Sequence, residues 1–585
     1  MSATITPPVS SDGLAMAPSL EKSFSGMVDN NAWIPPDTQG AAGPAHLVSL
    51  LNRGYAVFDK DSGAIVSGPI SLISFWSALG TGPGQPAADP FDPKVLYDQY
   101  SSRFVVVSDS GRRSDDSWVL IGYSRTSDPT DGFDLYAIDA NITTPGEWAD
   151  YPGLGVDPQF IYVTDNMFTS GSNPVFQRAK VWMIEKSSLL AGGPIRGWEF
   201  VDNSGVSNLV PTHAFGPTGV NYLLSLWSGT GTARLILVQE ASLLQGIPVL
   251  ADVGYLRIAD FGFDTFTDAP QMGCAEGIDS FGPYLMNAVL RNGRIYTTHS
   301  VDDPSPDGSA RKEIAWYEID PDNTSYFLPL PGPIQQGRVS DPDLWFYFPS
   351  VAVNDNESVA LGFTGSGSNV FASAYYTTRL ASDPPGFMHP AALMKSGSSP
   401  YFKRFGMTEN RWGDYSATMV DPLDDATFWT IQEHARDEAA PGCPVEDTGR
   451  WGTWWGSFKD GGCQDADGDE FGAPGSRSCP GGFLEDCNDG DPSIKPGAVE
   501  ACGVTDLDCD GIPGNPGGDA DGSGRVDGGD LWEWARRLGT SLLADPASIF
   551  FQMYSGAVDY DADGDVDGVD LQLLEAEFGS TTCGS

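Results

Sequence analysis

Short apolar runs alternate with Gly, Pro and Asp from about residue 23 to 460, and one pairing of runs recurs. In "DYPGLGVDPQFIYVTDN" (150–166) and "DYSATMVDPLDDATFWTIQ" (414–432), Asp-Tyr leads into an apolar run. Val-Asp-Pro then marks a turn, and a second apolar run follows. Runs of this length bounded by turn residues predict β-strands, and each pair predicts a hairpin. Fainter copies are "FDPKVLYDQYSSRFVVVSD" (91–109) and "FYFPSVAVNDNESVALGFTG" (346–365), with more divergent ones at 36–52, 211–227 and 283–299. Their turn residues are Gly43, Asp98, Asp157, Pro217, Arg291, Asn354 and Asp421, spaced roughly 55–75 residues apart. Units of that length, each opening with a hairpin and continuing into further strand-like runs, predict four-stranded blades in a ring. One or two β-sandwiches are the alternative for short strands at regular spacing. Recurrence of a single hairpin favours a mainly β chain with a seven-bladed β-propeller over 23–460. "WGTWWGSF" (451–458) completes the last blade, and "SFSGMV" (23–28) closes the ring and removes its open edges. Residues 1–22 read as a disordered N-terminal segment.

Beyond 460 the strand-like texture stops and acidic residues far outnumber basic ones. Five of the eight cysteines (Cys463, Cys479, Cys487, Cys502, Cys509) fall in this Gly/Asp-rich stretch. With little apolar content, it needs disulfides or metal to hold a shape. These cysteines are expected to pair mostly among themselves, the odd one pairing outside, with Cys443 as a candidate. The start of the chain lacks the basic flank and apolar run of a signal peptide, which taken alone favours the cytosol. The cysteines point instead to an extracellular or cell-surface protein. A net charge of −47 excludes nucleic acid as a partner and disfavours anionic membranes. No apolar run is long enough to span a bilayer.

The strongest chemistry lies at the C-terminus, where "DADGSGRVDGGDL" (519–531) returns as "DYDADGDVDGVDL" (559–571). Calcium takes six to eight oxygens, and a 12-residue loop supplies them from positions 1, 3, 5, 7, 9 and 12. In the first copy these are Asp519, Asp521, Ser523, the Arg525 carbonyl, Asp527 and Asp530. In the second they are Asp559, Asp561, Asp563, the Asp565 carbonyl, Asp567 and Asp570. Each loop runs into a helix-compatible stretch. The pair resembles a type I dockerin, two EF-hand-like loop–helix calcium repeats. The resemblance implies a small α module over 519–580 that docks on a cohesin-like scaffold module, in polysaccharide-processing assemblies. Positions 10 and 11 depart from the Ser-Thr frequent in that family, being Gly528-Gly529 and Gly568-Val569.

Between propeller and module, "CQDADGDEFG" sets Asp465, Asp467 and Asp469 on alternate positions, like the first half of a calcium loop. "DCNDGDPSIKPGAVEACGVTDLDCDG" (486–511) resembles the acidic, Cys-containing metal-binding repeat of bacterial surface proteins, sometimes linked to copper. Carboxylates favour calcium there. A solvated, disulfide-stapled spacer is the alternative for 461–511, and 512–518 is a flexible linker. The N-terminal region resembles a family of large secreted bacterial proteins without assigned activity, through "IPPDTQGAAGPAHLVSLLN", "DYPGLGVD", "FYFPSVAVN" and "NRWGDYSATMVDP".

Aligning the repeats puts Asp37, Asp92, Asp150 and Asp414 where the innermost strands begin, with Arg411 and His213 close in sequence. Converging carboxylates suit acid–base cleavage of a glycoside or the holding of a cation. Alternatively these Asp residues cap turns. No Ser-x-Asp-x-Gly-x-x-Trp box, Gly-x-Ser-x-Gly elbow or His-Glu-x-x-His is present. Two readings stand. One is a calcium-binding surface protein whose propeller binds polysaccharide or protein and whose tail attaches it to a scaffold. The other is a glycan-active hydrolase or lyase with its site in the propeller funnel.

Overall fold

The structure, a computed structural model, describes residues 17–459 except 32, 229–233, 245, 260–267, 304–310, 437–442 and 444. It also describes 467–469, 471–472, 486–496, 498, 507 and 509. The dockerin-like module (519–580) with its twelve expected loop ligands, the linker 512–518, Asp465 and residues 1–16 lie outside the described residues. The chain divides into two compact units, Met1–Lys459 and Asp460–Ser585.

The first unit is mainly β and propeller-like. Four strands, Gln39–Ala42, His46–Leu51, Gly54–Asp59 and Ile65–Ile70, pair in chain order as an antiparallel sheet. Pro90–Asp98, Arg103–Ser110, Trp118–Ser124 and Phe133–Asp139 make a second. Glu147–Val156 opens a third run of four that ends at Gly197–Asp202. Val210–Ala214 opens a fourth that ends at Ile247–Ile258, and Asn287–Arg291 a fifth that ends at Gln335–Val339. These three runs touch through parallel pairing of their opening strands, as in Val156↔His213 and Thr212↔Ala288. Trp345–Val353 opens the sixth sheet, which ends at Ala392–Lys395. Ala417–Val420, Thr427–Arg436 and Arg450–Lys459 make the seventh, and Lys22–Val28 from the chain start supplies its outer strand.

The opening strands neighbour one another in chain order, and the last, Ala417–Val420, returns to Gln39–Ala42. Burial follows that arrangement: Gln39–Ala42 is wholly buried, whereas the outer strand Ile65–Ile70 is largely exposed. Strands covered on both faces read as continuous apolar runs, which is why the opening hairpins carried the repeat signal. All of the turn residues singled out above, from Gly43 to Asp421, fall at or beside the first hairpin of a sheet.

The core lies between consecutive sheets. Val105, Val107 and Ile121 of the second meet Ile161, Val163 and Trp182 of the third. The last such layer joins the ends of the unit, with Leu47, Ala56 and Phe58 packed on Trp429, Ile431 and Trp455. Gly40 is a glycine there because a Cβ would stand 2.5 Å from the Trp455 ring. The Trp455 indole N–H donates to Ser49 Oγ at 3.0 Å. Buried Lys60 donates to the Gly43 carbonyl and to Asp421, both at 2.8 Å, so one ammonium ties the first and last hairpin turns.

Two disulfides occur among the described residues. Cys487–Cys509 lies within the acidic segment, as expected. Cys443 pairs with Cys274 and not with a tail cysteine. The bond ties Cys443 to a small hairpin, Ala269–Gln271 with Cys274–Ile278, between the fourth and fifth sheets in chain order. Two cysteines 169 residues apart gave no local signal of that partnership.

Candidate functional site

At or shortly before the start of several opening strands the backbone turns left-handed on a residue other than glycine: Asp37, Asp92, Tyr151, Asn208 and Phe348, and Phe281 in the segment leading to Asn287–Arg291, with φ between 46° and 68°. Register breaks follow between Phe91 and Lys94, Asp150 and Gly153, and Tyr347 and Ser350. Bulges of this kind re-aim side chains, and backbone strain of this kind clusters at functional sites. Here they gather polar groups from distant parts of the chain.

Asn52 links two of these starts: its amide donates to Asp37 Oδ2 at 2.6 Å, and its Oδ1 accepts the Asp92 N–H at 3.2 Å. Asp37 is fully buried, and its Oδ1 has no hydrogen-bond donor. Burial, with Asp414 and Asp92 nearby, pushes it well above the usual carboxylate range. Burial and Asp414 push Asp92 up to about 6. Asp150 is raised by burial and by Asp92, against Arg112. The Arg411 guanidinium ion-pairs with Asp414 and reaches Asp279 at 3.2 Å. Burial works against its charge, but Asp414, Asp37 and Asp279 outweigh it and raise its pKa.

Aromatic rings connect these charges. The Lys94 ammonium stands 3.2 Å from the centre of the Tyr415 ring. Tyr415 meets Tyr151 edge-on at 6.0 Å, Tyr151 stacks on Phe281 at 6.1 Å, and Phe281 contacts Tyr284 at 5.3 Å. Burial pushes Lys94 down to about 7 although Asp92, Asp37 and Asp414 oppose it. A cavity of about 240 Å³ runs from Lys94 and Tyr151 along the opening strands to Gln99 and His213.

The structure therefore brings Asp37, Asp92, Asp150, Asp414 and Arg411 together. His213 is not among them. It sits near the far end of its strand, its Nε2 2.9 Å from Gln99 Oε1 and its ring 4.5 Å from Phe215. Burial, with Lys186 and Arg291 near, pushes it to about 3, so it stays neutral. The turn-capping alternative describes other aspartates: Asp157 accepts the Gln159 and Phe160 N–H groups, both at 2.7 Å.

In the acidic segment, Asp467, Asp469 and Asp486 bring carboxylate oxygens within 4.8 Å of one another. The Asp486 N–H donates to the Gly472 carbonyl at 3.0 Å, and the Lys495 ammonium to the Asp469 carbonyl at 2.9 Å. Cys487 and Cys509 stand beside Asp486, but their disulfide removes both thiolates from the donor set.

The family model of the Cu-binding MopE motif matches residues 486–513. This segment carries a metal-binding motif. The motif contributes Asp486, while Asp467 and Asp469 come from the preceding acidic run, so two separate sequence signals meet in one all-oxygen cluster. No curated protein matches the chain. Among solved structures it is similar to a variant of the Synechocystis apocarotenoid oxygenase, at 11% identity and TM-score 0.34, covering 61% of this chain and 74% of that one. It is also similar to Trypanosoma rangeli sialidase bound to the inhibitor DANA, at 10% identity and TM-score 0.34, covering 75% and 60%. For Cellvibrio cellulosa α-L-arabinanase complexed with arabinohexaose the values are 10% and 0.27, covering 48% and 92%. Likeness at this level carries no chemistry across.

Sequence reasoning passed over Lys94, Phe281, Asp279 and Glu433. Tyr151 and Tyr415 had a signal, since each follows the aspartate of a repeated Asp-Tyr pair. Glu433 is buried, and its Oε1 accepts from Thr38 Oγ at 2.6 Å, 395 residues away in sequence. Burial pushes it up to about 8. A carboxyl whose folded pKa lies above its unfolded value stabilises fully below the unfolded pKa and loses that contribution as pH rises towards the folded one. Glu433→Gln keeps the Thr38 contact and is expected to flatten the stability loss between pH 5 and 8.5. The gain at the alkaline end should reach up to about 4 kcal/mol, read from denaturant midpoints at both pH values. An unchanged slope would show that Glu433 is ionised in the fold.

Proposed function

We propose that this is a secreted or cell-surface protein in which a seven-bladed β-propeller binds polysaccharide at its mouth, while a calcium-binding tail attaches it to a scaffold or surface partner. The observation that carries this reading is the mouth itself. Tyr151, Phe281 and Tyr284 are half-buried rings in contact, with buried Tyr415, Asp37 and Asp414 packed beneath them and Asp92 beside. Rings that cover the C–H faces of a sugar, next to acceptors for its hydroxyls, are the chemistry of glycan recognition. The excess of carboxylates favours neutral or amine-bearing sugars over uronates and sulfated chains. The closed order of opening strands supports the seven-bladed reading, and the two disulfides support an oxidising destination. The all-oxygen cluster of Asp467, Asp469 and Asp486 favours calcium over copper. Cohesin docking rests on the loops at 519–530 and 559–570 alone.

The second reading, a glycan-active hydrolase or lyase, is favoured by carboxyls in unlike surroundings. Arg411 pins Asp414, while Asp37 is buried with one oxygen lacking a donor. Acid–base pairs are built from such contrasts. A polysaccharide array run in calcium and in chelator, scoring binding and product release, tests both. Retention of neutral or amino glycans without products supports the binding protein, and product release supports the enzyme. Silence on every glycan overturns both.

A further inference from the structure

A second group of carboxylates lies behind the mouth, where the second and third sheets meet. Asp109 stands on Arg103–Ser110 opposite Phe91 and Val119, and Asp165 on Phe160–Thr169 opposite Lys180. The two carboxyls lie close enough to act directly on each other. Asp109 is fully buried and Asp165 is 2% exposed, yet none of their four carboxylate oxygens has a hydrogen-bond donor. Asp92 and Asp150 add further negative charge.

The nearest cation is already committed. The Lys180 ammonium donates to the Ala140 carbonyl at 2.7 Å and to Thr143 Oγ at 2.9 Å, and it pairs with Glu199 at 3.1 Å. A single proton shared between the carboxyls would satisfy one contact and leave the other oxygens without a donor. Left ionised, such unpaired buried charge is strongly destabilising, and protonation, towards which burial pushes both groups, still leaves buried oxygens without a donor. A hard divalent cation would take up the four carboxylate oxygens, with carbonyl or water oxygens needed to complete the six to eight that calcium takes.

We propose that Asp109 and Asp165 together hold a divalent cation, with Ca²⁺ as the probe ion, that fastens the second sheet to the third. This site is separate from the metal-binding motif of the tail and from the loops beyond it. It needs no assumption about glycans.

The test uses the full chain, stripped with EGTA and reloaded with Ca²⁺, with metal content per chain measured after desalting. The Asp109→Asn/Asp165→Asn double variant should hold one ion fewer than the wild type. Asp486→Asn should leave the propeller ion in place. Equal content in wild type and double variant would overturn the proposal and assign the pair a shared proton. Crystals of the wild-type chain soaked in Mn²⁺ give an answer that does not depend on the variant folding. An anomalous peak between the two carboxylates supports the site, and its absence at saturating Mn²⁺ overturns it.

Discussion

A chain beginning at residue 29 is expected to lose the cooperative unfolding of the whole propeller-like unit. Lys22–Val28 is the only strand of the seventh sheet that comes from the chain start, and it pairs antiparallel with Arg450–Lys459. Its Met27 carbonyl accepts from Thr453 Oγ at 2.9 Å, and Phe24 lies against Phe58 and Trp429. Removing it uncovers a Trp-rich edge, which invites pairing with other chains. It also strips one side of the layer that joins the last sheet to the first. Together these should cost more than about 5 kcal/mol, at the far end of what local changes do. Thermal unfolding and light scattering check it. A truncated chain that stays monomeric and melts within about 2 °C of the intact protein would refute the role given to this strand.

The second large effect is expected at Lys186. Its ammonium reaches both oxygens of Asp98 at 2.9 Å, and the two side chains are 2% and 0% exposed. Asp98 is the turn residue of the second opening hairpin, so the pair locks the third sheet onto the second. Lys186→Ala strands a carboxylate whose remaining side-chain donor is the Tyr123 hydroxyl at 3.2 Å. Breaking a buried pair from one side costs about 3–5 kcal/mol, whereas replacing both partners by apolar groups is often close to neutral. Lys186→Met/Asp98→Leu should therefore recover most of what Lys186→Ala loses in urea unfolding at pH 7. A loss below about 1 kcal/mol for the single variant would mean that water reaches Asp98.

These expectations separate what was legible in the sequence from what was not. Hairpin anchors could be read because each belongs to a local event. Asp157 and Asp421 hold their own turns, accepting the Phe160 N–H at 2.7 Å and the Leu423 N–H at 3.0 Å. Asp37, Asp92, Asp150 and Asp414 could be placed because they begin repeated strands. The partners that set their chemistry could not. Arg411 meets Asp279, and Thr38 meets Glu433, only after the strands close round the mouth. His213 was misleading for the converse reason: closeness to a repeat in sequence does not say which end of a strand a residue occupies. In the tail, alternate aspartates and the Asp-Cys motif were both visible. Their meeting at Asp486 required a backbone path that spacing does not encode.

Glycan recognition at the mouth is the proposal on which the rest depends. Titration calorimetry in calcium, comparing Tyr151→Ala and Tyr284→Ala with the wild type on the best polysaccharide of the array, measures that recognition at the half-buried rings. Each is expected to weaken binding at least tenfold, about 1.4 kcal/mol, while metal content per chain is unchanged. Binding that survives both substitutions in a folded protein would place recognition elsewhere on the chain.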